Sequence, residues 1–156
     1  MIEIDVPGYK LLRLSRLVLD YNGTLACDGE LLPGVAEALN RLAGDLTVHV
    51  VTADTFGRVR KGMETVACTV TVLPREEQDR SKLRYVQQLG AESTACIGNG
   101  RNDRLMLEAA ALGIAVILGE GAARETVNAA DIVCTDILAA LELFRNPLRM
   151  TATLRS

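Results

Sequence analysis

The sequence predicts an α/β fold, with a doubly wound, mostly parallel Rossmann-like sheet and helices on both faces. Strand-like apolar runs alternate with helical patterns from about residue 16 to residue 144. The connections between them are short, so right-handed crossovers are expected. The composition agrees: 49% of the residues are apolar, Trp is absent, and there are only three Tyr and two Phe. Such a composition suits a parallel sheet covered by Ala- and Leu-rich helices.

The first core strand lies at residues 16–20, where the apolar run Leu17-Val18-Leu19 ends on Asp20. A strand buried on both faces has such a continuous apolar pattern. A glycine-containing loop follows, and Pro33 then opens a helix that Gly44 ends, which is the usual placement of these two residue types. Further strands are predicted at residues 46–52, 69–73, 94–97, 114–118 and 131–134. Further helices are predicted at residues 55–65, 78–89, 102–112, 121–129 and 136–144.

The length of 156 residues fits a single domain that can bury one core. We assign this core to about residues 16–144. Residues 1–13 form a leader, for which Pro7-Gly8 predicts a β-hairpin. Residues 145–156 form a tail, which we expect to be a solvated terminus or to dock on a neighbouring subunit.

Charge and hydropathy exclude several classes of function. The net charge is −3 and the pI is about 5.2, which argues against a nucleic-acid partner. No apolar stretch reaches the roughly 18 residues of a membrane span, and the acidic N-terminus has no signal-peptide core. We therefore expect a cytoplasmic protein without membrane contact. The four cysteines are scattered and there is one histidine, so neither a zinc site nor a disulfide framework is predicted.

Polar side chains follow the ends of three predicted strands. Asp20 is followed by Tyr21-Asn22-Gly23-Thr24, Thr52 ends the second core strand, and the fourth core strand runs into the loop from Gly98 to Asp103. In open α/β sheets, ligands bind beyond the carboxyl ends of the strands. Lys82 lies in the helix after the third core strand. These positions are therefore candidates for one site.

Each position also has an ordinary structural explanation. Asp20 could start an Asx turn, Thr52 or Asp54 could cap the next helix, Lys82 could be solvated, and Asp103 could be a cap. A phosphate site would explain all of them together. Glycine N–H groups approach an anion, a hydroxyl and an ammonium neutralise its oxygens, and carboxylates hold a hard divalent cation.

The motifs resemble those of the haloacid dehalogenase superfamily of phosphatases and phosphoryl-transfer enzymes. They occur in the order Asp20-x-x-Gly23-Thr24, Thr52, Lys82 and Gly98-x-Gly100-x-Asn102-Asp103. The closer similarity is to the phosphorylation domain of P-type ATPases, whose Thr-Gly-Asp resembles Thr52-Ala53-Asp54. The resemblance covers about residues 16–140 and implies a haloacid dehalogenase-like fold. Thr52 lies only 28 positions after Thr24, and Lys82 lies 30 positions after Thr52, so no cap domain is expected.

The resemblance implies a role for each motif. Asp20 would be the nucleophile that forms an aspartyl-phosphate, and Lys82 would counter its charge. The residues implied for phosphate binding are Gly23, Thr24, Thr52, Ala53 and Lys82. Those implied for Mg²⁺ are Asp20, Asn22, Asn99 and Asp103, with Gly98, Gly100 and Asn102 supporting the loop.

Two asparagines depart from the family pattern. Superfamily phosphatases have an aspartate two residues after the nucleophile as general acid and base, and Asn22 cannot carry a proton there. Asn99 replaces a metal-binding aspartate, which weakens a cation site without preventing ligation through the amide oxygen. We therefore expect slow hydrolysis.

Three hypotheses of function follow from these residues. The first is a Mg²⁺-dependent phosphohydrolase or ATPase-like enzyme acting through Asp20 on a phosphorylated small molecule or phosphoprotein. The second is a pseudo-phosphatase that binds such a ligand without turnover, favoured by Asn22 and Asn99. The third is a receiver-like phospho-acceptor. Capless superfamily members tend to close their sites by oligomerisation, so a homo-oligomer is expected, with the loop from Ala26 to Glu30 as a small flap.

Overall fold

The computed structural model describes residues 1–53 and 58–156. The strands are β1 (Ile2–Val6), β2 (Lys10–Leu14), β3 (Arg16–Asp20), β4 (Ala26–Cys27), β5 (Glu30–Leu31), β6 (Thr47–Thr52), β7 (Thr69–Val72), β8 (Thr94–Gly98), β9 (Leu112–Val116) and β10 (Ile132–Cys134). The helices are α1 (Val35–Leu42), α2 (Arg58–Gly62), α3 (Gln78–Leu89), α4 (Arg104–Ala109), α5 (Arg124–Ala129), α6 (Ile137–Arg145) and α7 (Pro147–Leu154). Single 3-10 turns precede β8 and α4, at Ala91–Ser93 and Arg101–Asp103.

Six strands form a parallel sheet in the order β10-β9-β8-β3-β6-β7. The central strand β3 pairs with β6 on one side and β8 on the other. Its residues Leu17, Val18 and Leu19 are all buried and point alternately to the two faces of the sheet. The predicted doubly wound Rossmann-like fold is therefore confirmed. Its topology brings the carboxyl ends of β3, β6 and β8 to one edge.

Helices cover both faces of the sheet. One face packs against α1, α2, α6, α7 and the β1–β2 hairpin, around a large apolar cluster that includes Leu17, Leu19 and Leu39. The other face packs against α3, α4 and α5, around a smaller cluster that includes Val18, Val51 and Met106. This alternation along β3 is the period-two pattern of a strand with two buried faces.

Two antiparallel hairpins lie outside the main sheet. β1 and β2 pair over residues 2–14. β4 and β5 pair through Ala26 with Leu31 and Cys27 with Glu30. We call residues 26–31 the flap. The described residues contain no further inserted domain between β3 and α3, as expected of a chain without a cap.

Several element boundaries differ from the predictions. β9 begins at Leu112 and not at residue 114, because α4 ends at Ala109 and the N–H of Ala111 already donates to the carbonyls of Ala91 and Thr94. The run of alanines carries no local stop signal, so sequence patterning placed the end of the helix too late. α5 begins at Arg124, since Gly121 has a φ of +72° and cannot continue a helix. The predicted start of the second helix, at residue 55, lies outside the described residues.

The expectation of a solvated tail at residues 145–156 is wrong. Residues 147–154 form α7, which begins with Pro147 and packs against β1 of the same chain. Met150 points into the main core and is fully buried. The apolar periodicity ended the preceding helix at residue 144, next to its observed end at Arg145, but did not indicate α7, because α7 has only one buried apolar side chain.

The substitution Met150→Ala is expected to reduce the free energy of unfolding by about 2–4 kcal/mol, because it leaves a cavity in the core. Leu148→Ala on the same helix is the control, since Leu148 is 84% exposed. Urea denaturation of the two variants measures the difference. Equal, small effects at both positions would contradict the docking of α7.

Candidate active site

Asp20 lies at the carboxyl end of the central strand, at the floor of an open cavity of about 960 Å³. The cavity occupies the edge where β3, β6 and β8 end, as sheet topology predicts. It is lined by Asp20, Asn22, Asp28, Gly29, Thr52, Ala53, Arg58, Arg75, Gln78, Asn99, Gly100, Asn102 and Glu120. Three separately predicted motifs thus contribute to one site.

Lys82 forms a buried ion pair with two carboxylates. Its Nζ donates to Oδ1 of Asp20 at 2.6 Å and to Oδ1 of Asp103 at 2.6 Å. Lys82 is 1% exposed, Asp103 is 0% exposed and Asp20 is 7% exposed. The solvated alternative for Lys82 is therefore wrong: its helix, α3, directs the ammonium under the end of β3. Buried lysines are rare without such partners.

The electrostatics of this group are unusual. Burial raises the pKa of Asp20 to about 7, the Asp103 carboxylate adds to the increase, and Lys82 opposes it. Burial alone would lower the pKa of Lys82, but the attraction of both carboxylates outweighs burial and raises that pKa. Lys82 is thus held as an ammonium. With both carboxylates ionised, the group carries a net charge of −1, which favours a cation nearby.

Asp103 is anchored behind the cavity. Its Oδ2 accepts the backbone N–H groups of Asn99 and Gly100, each at 2.9 Å, and its Oδ1 accepts Lys82. Gly98 is required here, since a Cβ at that position would lie 2.5 Å from Cγ of Asp103. These contacts position Lys82 and close the loop after β8, and metal binding by Asp103 stays a prediction.

Thr24 also lies behind the cavity. It is fully buried, and its hydroxyl donates to Oδ1 of Asn99 at 3.2 Å. Gly23 has a φ of +78°, its N–H donates to the carbonyl of Ala26, and any Cβ would collide with Asn99. Gly23 and Thr24 thus shape the turn after β3 and hold Asn99, and phosphate binding by these two residues stays a prediction.

Of the remaining predicted residues, some line the cavity and others support the loop after β8. Thr52 and Ala53 line the cavity at the end of β6. Asp54, the alternative cap, lies outside the described residues. Asn102 lines the cavity and its Nδ2 donates to Oε1 of Gln78 at 2.5 Å, which ties the loop to α3. The carbonyl of Gly100 accepts the hydroxyl of Thr126 at 2.6 Å.

The oxygen donors facing the cavity fit a hard cation. Asp20 carries a carboxylate, and Asn22 and Asn99 carry amide oxygens. The backbone carbonyl of Asn99 accepts the N–H of Ala123, and its Oδ1 also accepts the hydroxyl of Thr24. Mg²⁺ prefers such oxygen ligands, usually with one or two carboxylates. The donor set thus suits Mg²⁺, with fewer negative charges than two aspartates would provide.

Sequence patterning missed several residues of the rim as candidates. Arg75 and Gln78 come from the start of α3 and the loop before it, and Glu120 follows β9. Glu120 could have been found, because residues just beyond a parallel strand lie at the same edge as Asp20. The same signal applies to Arg75, three residues beyond the parallel strand β7, whereas Gln78, at the start of α3, carries none.

Comparison with known proteins gives a sequence relative and several solved structures of similar fold. No protein-family model matches it. It is 44% identical over 79 residues to an uncharacterized protein, MJ0073, of Methanocaldococcus jannaschii, an alignment that covers 48% of this chain and 85% of that protein. Among solved structures, a hydrolase of the haloacid dehalogenase superfamily (subfamily III A) from Legionella pneumophila has a TM-score of 0.72 at 17% identity, over 90% of this chain and 87% of that one. The chain belongs to the MJ0073 family and has the haloacid dehalogenase fold.

Two further structures show the range of this fold. A 3-deoxy-D-manno-octulosonate 8-phosphate phosphatase from Moraxella catarrhalis, solved with magnesium, phosphate and the sugar, has a TM-score of 0.71 at 15% identity, over 91% of this chain and 94% of that one. A zinc-transporting PIB-type ATPase in its E2.Pi state has a TM-score of 0.63 at 24% identity, over 78% of this chain and 20% of the pump. The haloacid dehalogenase-like fold that the motifs imply is therefore confirmed. Within the described part of the chain, no helix combines the length and apolar character needed to cross a bilayer.

For the metal-free protein, the free energy of unfolding of Asp20→Asn relative to the parent is expected to be higher at about pH 8 than at about pH 5. The pKa of Asp20 is raised from 3.8 to about 7, so its stabilising contribution is fully present below the unfolded value and is lost as pH rises through about 7. An uncharged amide avoids that loss. The gain of the variant over the parent should grow by on the order of 2 kcal/mol between the two pH values.

Urea unfolding in the presence of a chelator measures this difference, because a bound cation would keep Asp20 ionised at either pH. Asp5→Asn, on the exposed face of β1, is the matched control. A pH-independent difference between parent and Asp20→Asn would contradict the raised pKa.

Proposed function

We propose that this chain is a Mg²⁺-dependent phosphohydrolase of the haloacid dehalogenase type, acting through an aspartyl-phosphate on Asp20. One observation carries the proposal: Lys82 is buried between Asp20 and Asp103 at the floor of a cavity large enough for a substrate. A surface carboxylate needs no such partner. A buried carboxylate that approaches an anionic phosphoryl group needs a cationic partner, because the two negative charges repel each other.

The residues of the site have different roles in the first chemical step. Asp20 attacks the phosphorus, and the bond to the leaving oxygen breaks. Lys82 keeps one carboxylate oxygen of Asp20 oriented and offsets its negative charge. Thr52, at the end of β6 and lining the same cavity, is the hydroxyl placed to bind a phosphoryl oxygen. Such catalysis depends mainly on positioning and electrostatics.

Mg²⁺ would be held by Asp20, Asn22 and Asn99. When bound, it withdraws charge from the phosphoryl oxygens and neutralises the net negative charge of the Lys82 group. The donor set described above supports this cofactor. The M. catarrhalis phosphatase of the same fold, solved with magnesium and phosphate, is consistent with it.

The substrate class is a phosphate monoester. The open cavity and the absence of a cap in the described residues admit a phosphorylated small molecule, with a phosphoprotein segment as the bulkier alternative. A homo-oligomer that covers the cavity and a cytoplasmic location remain part of this proposal.

The test measures Mg²⁺-dependent phosphate release from a panel of phosphate monoesters and ATP, with intact mass read in parallel. The parent should release phosphate and Asp20→Asn should release essentially none. An Asp5→Asn control should match the parent. Release that persists in Asp20→Asn would overturn the role of Asp20.

A binding-only function is the second candidate, because Asn22 and Asn99 occupy positions where the superfamily phosphatases that the sequence resembles carry aspartates. Asn22→Asp separates the two. In a competent enzyme that has no other general acid and base, it should raise turnover by about 10²-fold, since such groups contribute about that much. No turnover in either form, with retained phosphate binding, would favour the binding function.

The receiver-like alternative is disfavoured by topology. Counting only the six sheet strands, their order is 3-2-1-4-5-6 from β7 to β10. The flavodoxin-like folds that include CheY have the order 2-1-3-4-5. The nucleophile here also ends the first of these six strands, and not the third.

Asn99→Asp is expected to tighten Mg²⁺ binding roughly tenfold, because it adds a negative charge to the cation site. Asn128→Asp is the matched control: it adds the same charge on α5, at an exposed residue outside the cavity. Isothermal titration with MgCl₂ measures both. If the two variants bind Mg²⁺ equally, Asn99 does not face the cation.

A further inference from the structure

The proposed function leaves one chemical requirement without a residue. Hydrolysis through an aspartyl-phosphate needs a group that gives a proton to the leaving oxygen and later takes one from water. Asn22, at the position of that group in the phosphatases that the sequence resembles, has an amide side chain that does neither at neutral pH. Among the cavity-lining residues that the structure describes, the carboxyl groups are those of Asp20, Asp28 and Glu120.

The flap places Asp28 in the lining of the cavity. Its tip is Asp28-Gly29, and both residues have left-handed backbone, with φ of +52° and +82°. Tyr21, the residue after the nucleophile, donates its hydroxyl to the carbonyl of Gly29 at 3.2 Å. The flap is thereby tied to the turn that carries Asp20. A left-handed aspartate is sparsely populated, and such residues cluster at functional sites.

Two further contacts hold the flap tip from opposite sides of the cavity. Nη1 of Arg58, on α2, donates to the carbonyl of Asp28 at 3.4 Å. The N–H of Asp28 donates to Oε2 of Glu120, beyond β9, at 3.3 Å. Both contacts use the backbone of Asp28. These contacts therefore hold Asp28 at the cavity through its backbone and do not involve its side chain.

The side chains of Asp28 and Glu120 differ in their engagement. No hydrogen bond or ion pair from a residue in the described ranges holds the Asp28 carboxylate, whereas Glu120 uses an oxygen to hold the flap. A carboxylate oxygen of each lies within 4.8 Å of the other. Asp28 is thus the cavity carboxyl group that is both positioned and chemically uncommitted.

We propose that Asp28 is the general acid and base of this site, in place of the missing aspartate at position 22; this inference rests on the proposed function. In the first step Asp20 bonds to phosphorus, the bond to the leaving oxygen breaks, and that oxygen takes the proton of the Asp28 carboxylic acid. In the second step a water oxygen attacks phosphorus and its proton passes to the Asp28 carboxylate. The bond to Asp20 breaks, which releases phosphate and restores both carboxyl groups.

The role of Asp28 is tested by Asp28→Asn, which keeps the size of the side chain and the backbone contacts of the flap. Steady-state turnover should fall by on the order of 10²-fold. The intact mass should show a persistent gain of one phosphoryl group with an activated substrate, whose leaving group needs no proton. The rate of phosphoprotein decay should also lose its dependence on pH.

Glu30→Gln is the matched control. Glu30 lies on β5 of the same flap and does not line the cavity, so this variant removes a carboxylate from the flap and should match the parent. A second comparison uses Asn22→Asp in the Asp28→Asn background. Restoring a proton carrier at position 22 should recover most of the lost turnover, which a merely structural defect of the flap would not allow.

The outcomes distinguish a failure of the role proposed for Asp28 from a failure of the proposed function. Normal turnover and decay in Asp28→Asn would overturn the role of Asp28, as would a loss seen in Glu120→Gln but not in Asp28→Asn. A loss in Asp28→Asn that Asn22→Asp fails to recover would also overturn it. If the parent protein itself neither forms a phosphoprotein nor releases phosphate, the proposed function fails instead.

Discussion

The buried contact between the ammonium of Lys82 and the carboxylates of Asp20 and Asp103 is the interaction on which the site depends. Transfer of charges out of water is costly, and removal of one partner from a buried ion pair leaves an uncompensated charge. The three groups come from the end of β3, from α3 and from the turn before α4. Their mutual attraction therefore fixes the relative positions of a strand, a helix and a loop at one edge of the sheet.

Around this contact, the site separates into residues that face the cavity and residues that support them. Asp20, Asn99 and Thr52 line the cavity, whereas Thr24 and Asp103 are fully buried behind it. The supporting residues carry the same polar groups as the lining ones but do not line the cavity: Thr24 bonds with Asn99, and Asp103 bonds with Lys82 and two backbone N–H groups. Exposure to the cavity, more than residue type, separates the lining positions from the supporting ones in this site.

The parts that could be predicted from the sequence are those set by local patterning and topology. The continuous apolar run before Asp20 identified a central parallel strand, and parallel topology then placed Thr52 and Asn99 beside it. The roles of Thr24 and Asp103 could not be predicted, because the direction of a side chain in a turn depends on backbone angles that the residue type does not fix. The contact between Asp28 and Glu120 is also invisible in the sequence, since it joins loops 92 residues apart.

The placement of β3 at the centre of the sheet has a consequence for the order of folding. Asp20 and Lys82 are 62 residues apart in the chain, and β3 reaches its partner β8 only after the intervening segment has been brought back to the sheet. Closing so long a segment costs chain entropy that local helix formation does not. The charged groups stay hydrated until the strands on both sides of β3 are paired. The same connectivity that places Asp20 at the centre of the sheet thus delays the assembly of the buried ion pair until the sheet exists.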